Sequence, residues 1–163
     1  MHFELHHRFD HPVEAVWTTL FSPGYVAAAS SLSDIQRSVE RDEVRDGVQF
    51  VRTRCTSPRE LPPVVRRAIG ADRIVYHLEE IRDHANHSLR WRVLPGALAE
   101  KVKAEGSFAL RATPTGCERL VKGEVRVAIP LVGSKIESGI GRELQAGYEK
   151  AAELTRRWLK ENR

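Results

Sequence analysis

The sequence predicts an α+β fold, in which an antiparallel sheet of about seven strands packs against one long C-terminal helix. Two observations predict this fold class. Between residues 2 and 130, segments rich in branched and aromatic residues are separated by short turn signals, which is typical of antiparallel strands. From Gly133 to about Asn162, apolar residues instead recur every three or four positions, which is typical of an amphipathic helix. The length of 163 residues predicts a single domain, residues 1–163.

The N-terminal segment predicts one strand followed by two short helices. In HFELHHRF, residues 2–9, alternation predicts a strand whose buried face carries the odd-numbered side chains Phe3, Leu5, His7 and Phe9. Pro12 is a favoured first helical residue, and apolar residues at helical spacing after it predict a helix over 12–21. The breaker sequence SPG ends this helix, and segment 24–31 predicts a second short one.

Six further strands are predicted in the middle of the chain. Asp46-Gly47 is a hairpin signal and joins two strands within about 33–58. The proline-containing segment 61–70 predicts a helical connector. Four more strand-like segments follow, at 73–83, 87–96, 100–116 and 117–130. Because the links between these four are short, the strands are expected to form an antiparallel meander.

The C-terminal helix carries its apolar residues on one stripe, at Ile136, Ile140, Leu144, Gly147, Ala151, Leu154 and Trp158. About 30 residues at 1.5 Å each give a helix of roughly 45 Å, which is long enough to lie along a whole sheet. Pro130 is expected to end the last strand, and Ser134 to cap the helix.

Composition and charge exclude several classes of protein. Hydrophobic residues make up 41% and charged residues 29% of the chain, as in ordinary globular proteins. The sequence shows no signal peptide and no apolar run approaching about 18 residues, so we expect a cytoplasmic protein without stable membrane insertion. The net charge is +4, but acids and bases alternate over residues 37–46, which argues against nucleic-acid binding.

Known catalytic and cofactor motifs are weak or missing in the sequence. The stretch VAIPLVGSKIE, residues 127–137, superficially resembles a phosphate-binding loop, but Ile129, Ser134 and Ile136 stand where that loop needs glycine, glycine and a hydroxyl. Cys55 and Cys117 are isolated, so two reduced thiols are expected. The seven histidines lack metal-ligand spacing, and we expect neither a metal nor a cofactor.

The order of elements resembles the START-like or SRPBCC superfamily, the helix-grip fold. That fold is a curved seven-stranded antiparallel sheet wrapped around a long C-terminal helix, with two short helices after the first strand. The resemblance covers nearly the whole chain, and FELHHRFDHPVEAVWTTLFSPGYV at 3–26 is similar to the superfamily's first strand and helix. The stretches RTRCTSPRELPPVVRRAIG and GEVRVAIPLVGSKIESGI resemble a bacterial subfamily with no assigned function. The superfamily implies a cavity between sheet and helix that holds lipids, sterols, polyketides or similar molecules.

This resemblance predicts a binding module for a small hydrophobic molecule. The expected ligand-binding residues are those on the inner sheet face and the helix stripe, namely His7, Phe50, Arg52, Tyr76, Trp91, Phe108, Ile136, Ile140, Leu144, Gly147 and Tyr148. Two alternatives stay open: an enzyme similar to polyketide cyclases and aromatases, and a protein-interaction domain with a collapsed cavity.

Three residue roles also stay open at this point. His7 is either a hydrogen-bonded core histidine or a ligand-contacting or acid–base group. Arg52 and Glu80 are candidates for an inward-facing ion pair. Gly147 marks either close packing of the helix on the sheet or space for a ligand, and the ligand hypothesis requires the second.

Overall fold

The computed structural model describes residues 1–98 and 100–162. The elements in chain order are β1 (His2–Phe9), α1 (Val13–Phe21), α2 (Pro23–Ser30), β2 (Gln36–Arg45), β3 (Val48–Thr56), α3 (Pro63–Ile69), β4 (Val75–Asp83), β5 (Ser88–Leu94), β6 (Val102–Thr113), β7 (Gly116–Val127) and α4 (Gly133–Glu161). The predicted α+β helix-grip class is confirmed, with its seven strands, its long C-terminal helix and its two short helices after the first strand.

All seven strands form one curved antiparallel sheet in the order β1-β7-β6-β5-β4-β3-β2. Strands β2 to β7 are neighbours in chain order, which confirms the predicted meander, and β1 pairs with β7. The predicted hairpin turn lies between β2 and β3, where Asp46 and Gly47 have φ values of 54° and 78°. Such left-handed conformations suit Asp and Gly and match the twist of the flanking strands.

Two glycines on the concave face allow aromatic rings to lie against the sheet. Phe3 pairs with Gly123, Gly123 with Gly106, and Gly106 with Trp91, so the four residues form one row across β1, β7, β6 and β5. A Cβ on Gly106 would lie 2.6 Å from Trp91 Cζ2, and a Cβ on Gly123 would collide with the Phe3 ring. Both rings therefore occupy space that side chains at these glycines would fill.

Helix α4 packs mainly on β7 and β1. Its buried residues include Ala152 and Leu159, and its Thr155 hydroxyl lies 2.8 Å from the Tyr25 hydroxyl of α2. The opposite edge of the sheet is not covered by α4, and every residue of the edge strand β2 is exposed. On the concave face of β2, Val39 and Val44 are 63% and 71% exposed, so α4 covers the β1 half of the sheet and leaves the β2 half open.

The start of α4 differs from the prediction. The helix begins at Gly133 after Val132, and no side chain caps it, so the predicted capping role of Ser134 is wrong. The physical reason is close packing, because a Cβ on Gly133 would lie 2.5 Å from the Val127 carbonyl oxygen. The chain needs glycine at this point, and the helix starts two residues earlier than it would with Ser134 as its N-cap. Among the helices of residues 1–98 and 100–162, none is both long and apolar enough to cross a membrane.

Candidate functional site

The concave side of β3, β4 and β5 lies beyond the part of the sheet that α4 covers. Val51 pairs with Glu80, and Glu80 pairs with Trp91, so these three side chains share the concave face. Leu78 and Val93 pair with each other on the same face, two residues from Glu80 and Trp91. On α4, Ile140, Leu144 and Tyr148 follow at four-residue spacing, and all five side chains are partly buried against the core. We call the part of the concave side that carries these five residues and Trp91 the concave cleft.

Two predicted ligand-binding residues lie on the opposite face of the sheet. Val51 is only 3% exposed and points to the concave side, so the neighbouring Phe50 and Arg52 point to the convex side. The predicted inward placement of Phe50 and Arg52 is therefore wrong. The predicted pair of Arg52 with Glu80 is wrong as well, because Glu80 binds Arg82 at 2.7 Å.

On the convex face, Phe50 belongs to a charged surface. Together with Val48 and Ile81 it lines a depression of about 300 Å³. The Arg41 guanidinium lies 5.2 Å from the centre of the Phe50 ring. A second depression, of about 620 Å³, lies between α1 and the C-terminal end of α4 and is lined by residues such as Thr18 and Trp158. Both depressions are separate from the concave cleft.

The remaining predicted residues lie on the concave side. Tyr76 pairs with Cys55 and is two residues from Leu78, so it shares the concave face near its outer end. Trp91 and Phe108 are buried in the core, and Ile136 packs partly buried against that core. Trp17 on α1 is also largely buried.

Gly147 lies on the apolar stripe of α4 but is not buried there. Positions seven residues apart on a helix differ by only about 20°, which puts Gly147 on the same side as Ile140 and Leu154. Gly147 is exposed, and an added Cβ would meet no atom within 4 Å. Close packing of the helix at Gly147 is thus excluded, and the space next to its Cβ position is open.

His7 is buried and hydrogen-bonded to an arginine that the sequence analysis did not single out. Arg119 Nε and Nη2 lie 3.3 Å and 3.1 Å from His7 Nδ1, which accepts from the guanidinium. The His7 proton is then on Nε2, which lies 3.2 Å from Glu149 Oε1 without forming an aligned hydrogen bond. Burial, followed by the positive charge of Arg119, lowers the pKa of His7 and keeps the ring neutral. These contacts support the core-histidine interpretation.

Arg119 is a buried cation on the concave side of β7. It is 2% exposed, and Nη2 donates to the Tyr148 carbonyl oxygen at 3.2 Å. The rings of Phe9, Phe108 and Tyr148 surround the guanidinium with centres between 5.3 Å and 5.8 Å from Cζ. Within the described residues, no carboxylate lies within salt-bridge distance of Arg119. Its alternation with Cys117 and Val121 in the sequence was the signal that could have identified it as inward-facing.

Trp91 and Tyr148 place two hydrogen-bond donors in the concave cleft. The Trp91 side chain is 7% exposed, and its buried Nε1 has no hydrogen-bond partner among the described residues. Burial raises the pKa of Tyr148 to about 12, against smaller opposing effects of Arg119 and of the Trp91 N–H. The indole N–H is thus close to the phenol, although the two groups do not meet hydrogen-bond geometry. At neutral pH, the Tyr148 hydroxyl remains a protonated donor.

Arg82 extends this polar region toward α1. Its Nη2 donates to Glu80 at 2.7 Å, and its guanidinium lies 4.5 Å from the centre of the Phe21 ring. The buried Arg82 Nε has no partner among residues 1–98 and 100–162. Over the same residues, no three His, Cys, Asp or Glu side chains are grouped as metal ligands would be. The arrangement can therefore donate hydrogen bonds to an acceptor but offers no evident acid–base pair at the cleft.

Comparison with known families identifies one match that covers most of the chain. The model of a family described as protein of unknown function, DUF2505, matches residues 4–159. No curated protein matches the chain significantly.

Several solved structures are similar to this chain along its whole length. TTHA0849 from Thermus thermophilus has a TM-score of 0.64 at 14% identity, covering 98% of this chain and 95% of that protein. The di-domain ARO/CYC StfQ from the steffimycin biosynthetic pathway has a TM-score of 0.66 at 14% identity, covering 98% of this chain and 51% of StfQ. Ara h 8.0201 has a TM-score of 0.63 at 12% identity, covering 99% of this chain and 99% of Ara h 8.0201. At such identities the likeness shows a shared fold, in agreement with the predicted helix-grip fold.

Proposed function

We propose that this chain, which belongs to the DUF2505 family of proteins of unknown function, binds a small hydrophobic molecule in the concave cleft. The observation that carries the proposal is the group of partly exposed apolar side chains on both walls of the cleft. Leu78 and Val93 approach it from the sheet, and Ile140 and Leu144 from α4. Soluble monomers rarely expose contiguous apolar surface of this kind, and where they do, it commonly marks a ligand-binding groove or an interaction site.

The energetics favour an apolar ligand at this position. Each square ångström of apolar surface removed from water contributes about 25 cal/mol, so a ligand that covers both walls gains from the wall side chains as well as from its own surface. The two valines of β2, Val39 and Val44, extend the exposed apolar surface beyond the cleft. A structural neighbour named as an ARO/CYC of a biosynthetic pathway supports a small-molecule role for this fold.

Titration with a fluorescent long-chain fatty-acid probe tests the proposal. Two variants fill the cleft from opposite walls, Leu144→Trp from α4 and Val93→Trp from β5. Ala146→Trp is the matched control, because Ala146 is exposed on the far side of the same helix. We expect the parent and Ala146→Trp to bind the probe alike, and both cleft variants to bind at least tenfold more weakly. Thermal melts establish that each variant is folded.

Native mass spectrometry of protein purified without detergent gives an independent measurement. We expect a co-purified small molecule whose occupancy falls in Leu144→Trp and not in Ala146→Trp. If the folded parent neither binds the probe nor carries such a molecule, the ligand-binding proposal is wrong, and the protein-interaction alternative gains support.

A further inference from the structure

Trp91 and Tyr148 each carry a hydrogen-bond donor in the concave cleft that meets no acceptor among the described residues in hydrogen-bond geometry. The indole N–H of Trp91 is buried without a partner, and the Tyr148 hydroxyl makes no hydrogen bond to any of residues 1–98 and 100–162. A buried N–H that lacks an acceptor is costly, because folding removes it from water without replacing the lost hydrogen bond. The Trp91 N–H is such a buried donor, and together with the neighbouring Tyr148 hydroxyl it marks a place where a ligand could supply an acceptor.

Another buried tryptophan shows that this situation is specific to Trp91. Trp17 is buried to a similar degree, and its Nε1 donates to His84 Nδ1 at 3.0 Å. The chain thus supplies an acceptor to one buried indole and leaves the other without one. This difference points to an external partner for Trp91.

The charges near the donor pair favour an anion. Glu80 and Arg82 neutralise each other across 2.7 Å. The buried Arg119, whose guanidinium lies 5.3 Å from the centre of the Tyr148 ring, has no such partner within the described residues. His7, which touches Arg119, is held neutral and cannot compensate it. The positive charge of Arg119 therefore lies behind the Tyr148 ring, where it acts on the phenol more strongly than the salt-bridged Glu80 does and attracts a negatively charged group at the donors.

From this arrangement we infer that the ligand is amphipathic and carries an acceptor-only oxygen group, an ionised carboxylate, that binds the Trp91 indole N–H and the Tyr148 hydroxyl. The inference rests on the proposed function, since it names the polar end of the molecule whose apolar part fills the concave cleft. Carboxylate oxygens accept hydrogen bonds from both donors, and hydrogen bonds to a charged acceptor are stronger than those to a neutral one.

Three ligands of equal chain length separate the contributions of charge and of hydrogen bonding. Dodecanoate is an anionic acceptor, methyl dodecanoate is a neutral acceptor, and dodecylammonium is a cationic donor. We expect affinity to fall in that order, with dodecanoate binding about tenfold more tightly than the ester and more tightly still than the amine. Competition against the fluorescent probe, below the concentrations at which these molecules form micelles, measures all three.

Variants at the donors test whether Trp91 and Tyr148 cause this order. In Trp91→Phe and in Tyr148→Phe, the preference for dodecanoate over dodecylammonium should shrink about tenfold, while the apolar walls remain. Trp17→Phe is the matched control, since it removes a buried indole whose N–H already has a partner, and its preference should equal that of the parent. A general loss of stability would weaken the binding of all three ligands together and leave the ratios of their affinities unchanged. These ratios therefore distinguish a role of Trp91 and Tyr148 in binding from a structural role.

Nuclear magnetic resonance of the indole N–H groups provides a direct measurement. On addition of dodecanoate, the Trp91 indole signal should shift downfield, as expected on gaining an acceptor, and the Trp17 signal should not move. If the probe binds but the three ligands compete equally, or if the Trp91 signal stays in place, the carboxylate assignment is wrong and the binding function stands. If no ligand competes because the parent does not bind the probe, the proposed function itself has failed.

Discussion

Gly106→Ala tests the structural basis of the concave cleft, because the ring of Trp91 lies directly against this glycine. The new Cβ would lie 2.6 Å from Trp91 Cζ2, which is about 0.9 Å short of the ordinary carbon–carbon contact of roughly 3.5 Å. It would also collide with the carbonyl oxygen of Lys122 on β7, which is backbone and cannot rotate away. The ring and the strand must both shift to admit one methyl group.

The expected cost follows from these distances. Overpacking of a well-packed core destabilises the folded state by about 1–3 kcal/mol. Replacing glycine by alanine in a strand stabilises it by roughly 0.5–1 kcal/mol, because alanine loses less conformational entropy on folding. Because a backbone oxygen lies in the way, the upper part of the overpacking range applies, about 2–3 kcal/mol, and a gain of about 1 kcal/mol leaves a fall of about 1–2 kcal/mol in the free energy of unfolding. For a domain of this size, this corresponds to a decrease of about 2–8 °C in Tm.

Urea denaturation of the parent, Gly106→Ala and Gly147→Ala measures the effect and its control. Gly147 has open space around its Cβ position, so the same change there should raise the free energy of unfolding by up to about 1 kcal/mol. The cost of Gly106→Ala should also shrink when it is combined with Trp91→Phe, since phenylalanine lacks the Cζ2 atom. If Gly106→Ala is as stable as the parent, the ring of Trp91 does not lie against the sheet, and the cleft described above has a different floor.

Two further predictions concern titration. His6 and His7 are adjacent but should shift in opposite directions from 6.5 in a nuclear magnetic resonance titration, since a hydrogen bond to Glu4 raises the pKa of His6 and burial lowers that of His7. The contribution of His7 to the free energy of unfolding is then present above pH 6.5 and is lost as the pH falls through the lowered pKa of His7. If both histidines titrate at the same pH, the buried contact of His7 with Arg119 is contradicted. Burial raises the pKa of Tyr76 and Tyr148 to about 12, so ultraviolet absorbance should show both phenols ionising near pH 12, and stability should fall between pH 10 and pH 12. Ionisation of either near pH 10 in the folded protein would show that its ring is solvated.

The elements and their order could be predicted from the sequence, because they depend on local chemistry. Alternation over 2–9 predicted β1, the Asp46-Gly47 pair predicted the hairpin turn, and the three-to-four spacing after Gly133 predicted α4. These signals lie within a few residues of each other along the chain, so no knowledge of the folded partner is required to interpret them.

The contents of the candidate site were decided by the tertiary structure. In β3, the alternate sets containing Phe50 and Val51 are both partly apolar, so the local pattern does not choose the buried face, and the pairing with β4 and β5 does. Gly147 fits the apolar stripe of its helix, yet it is exposed, because no neighbouring atom lies within 4 Å of its Cβ position. Arg119 looks like one more charged strand residue until folding encloses it in aromatic rings. Which side of a strand or helix is covered depends on residues far apart in the chain, and these are brought together only when the sheet and α4 pack.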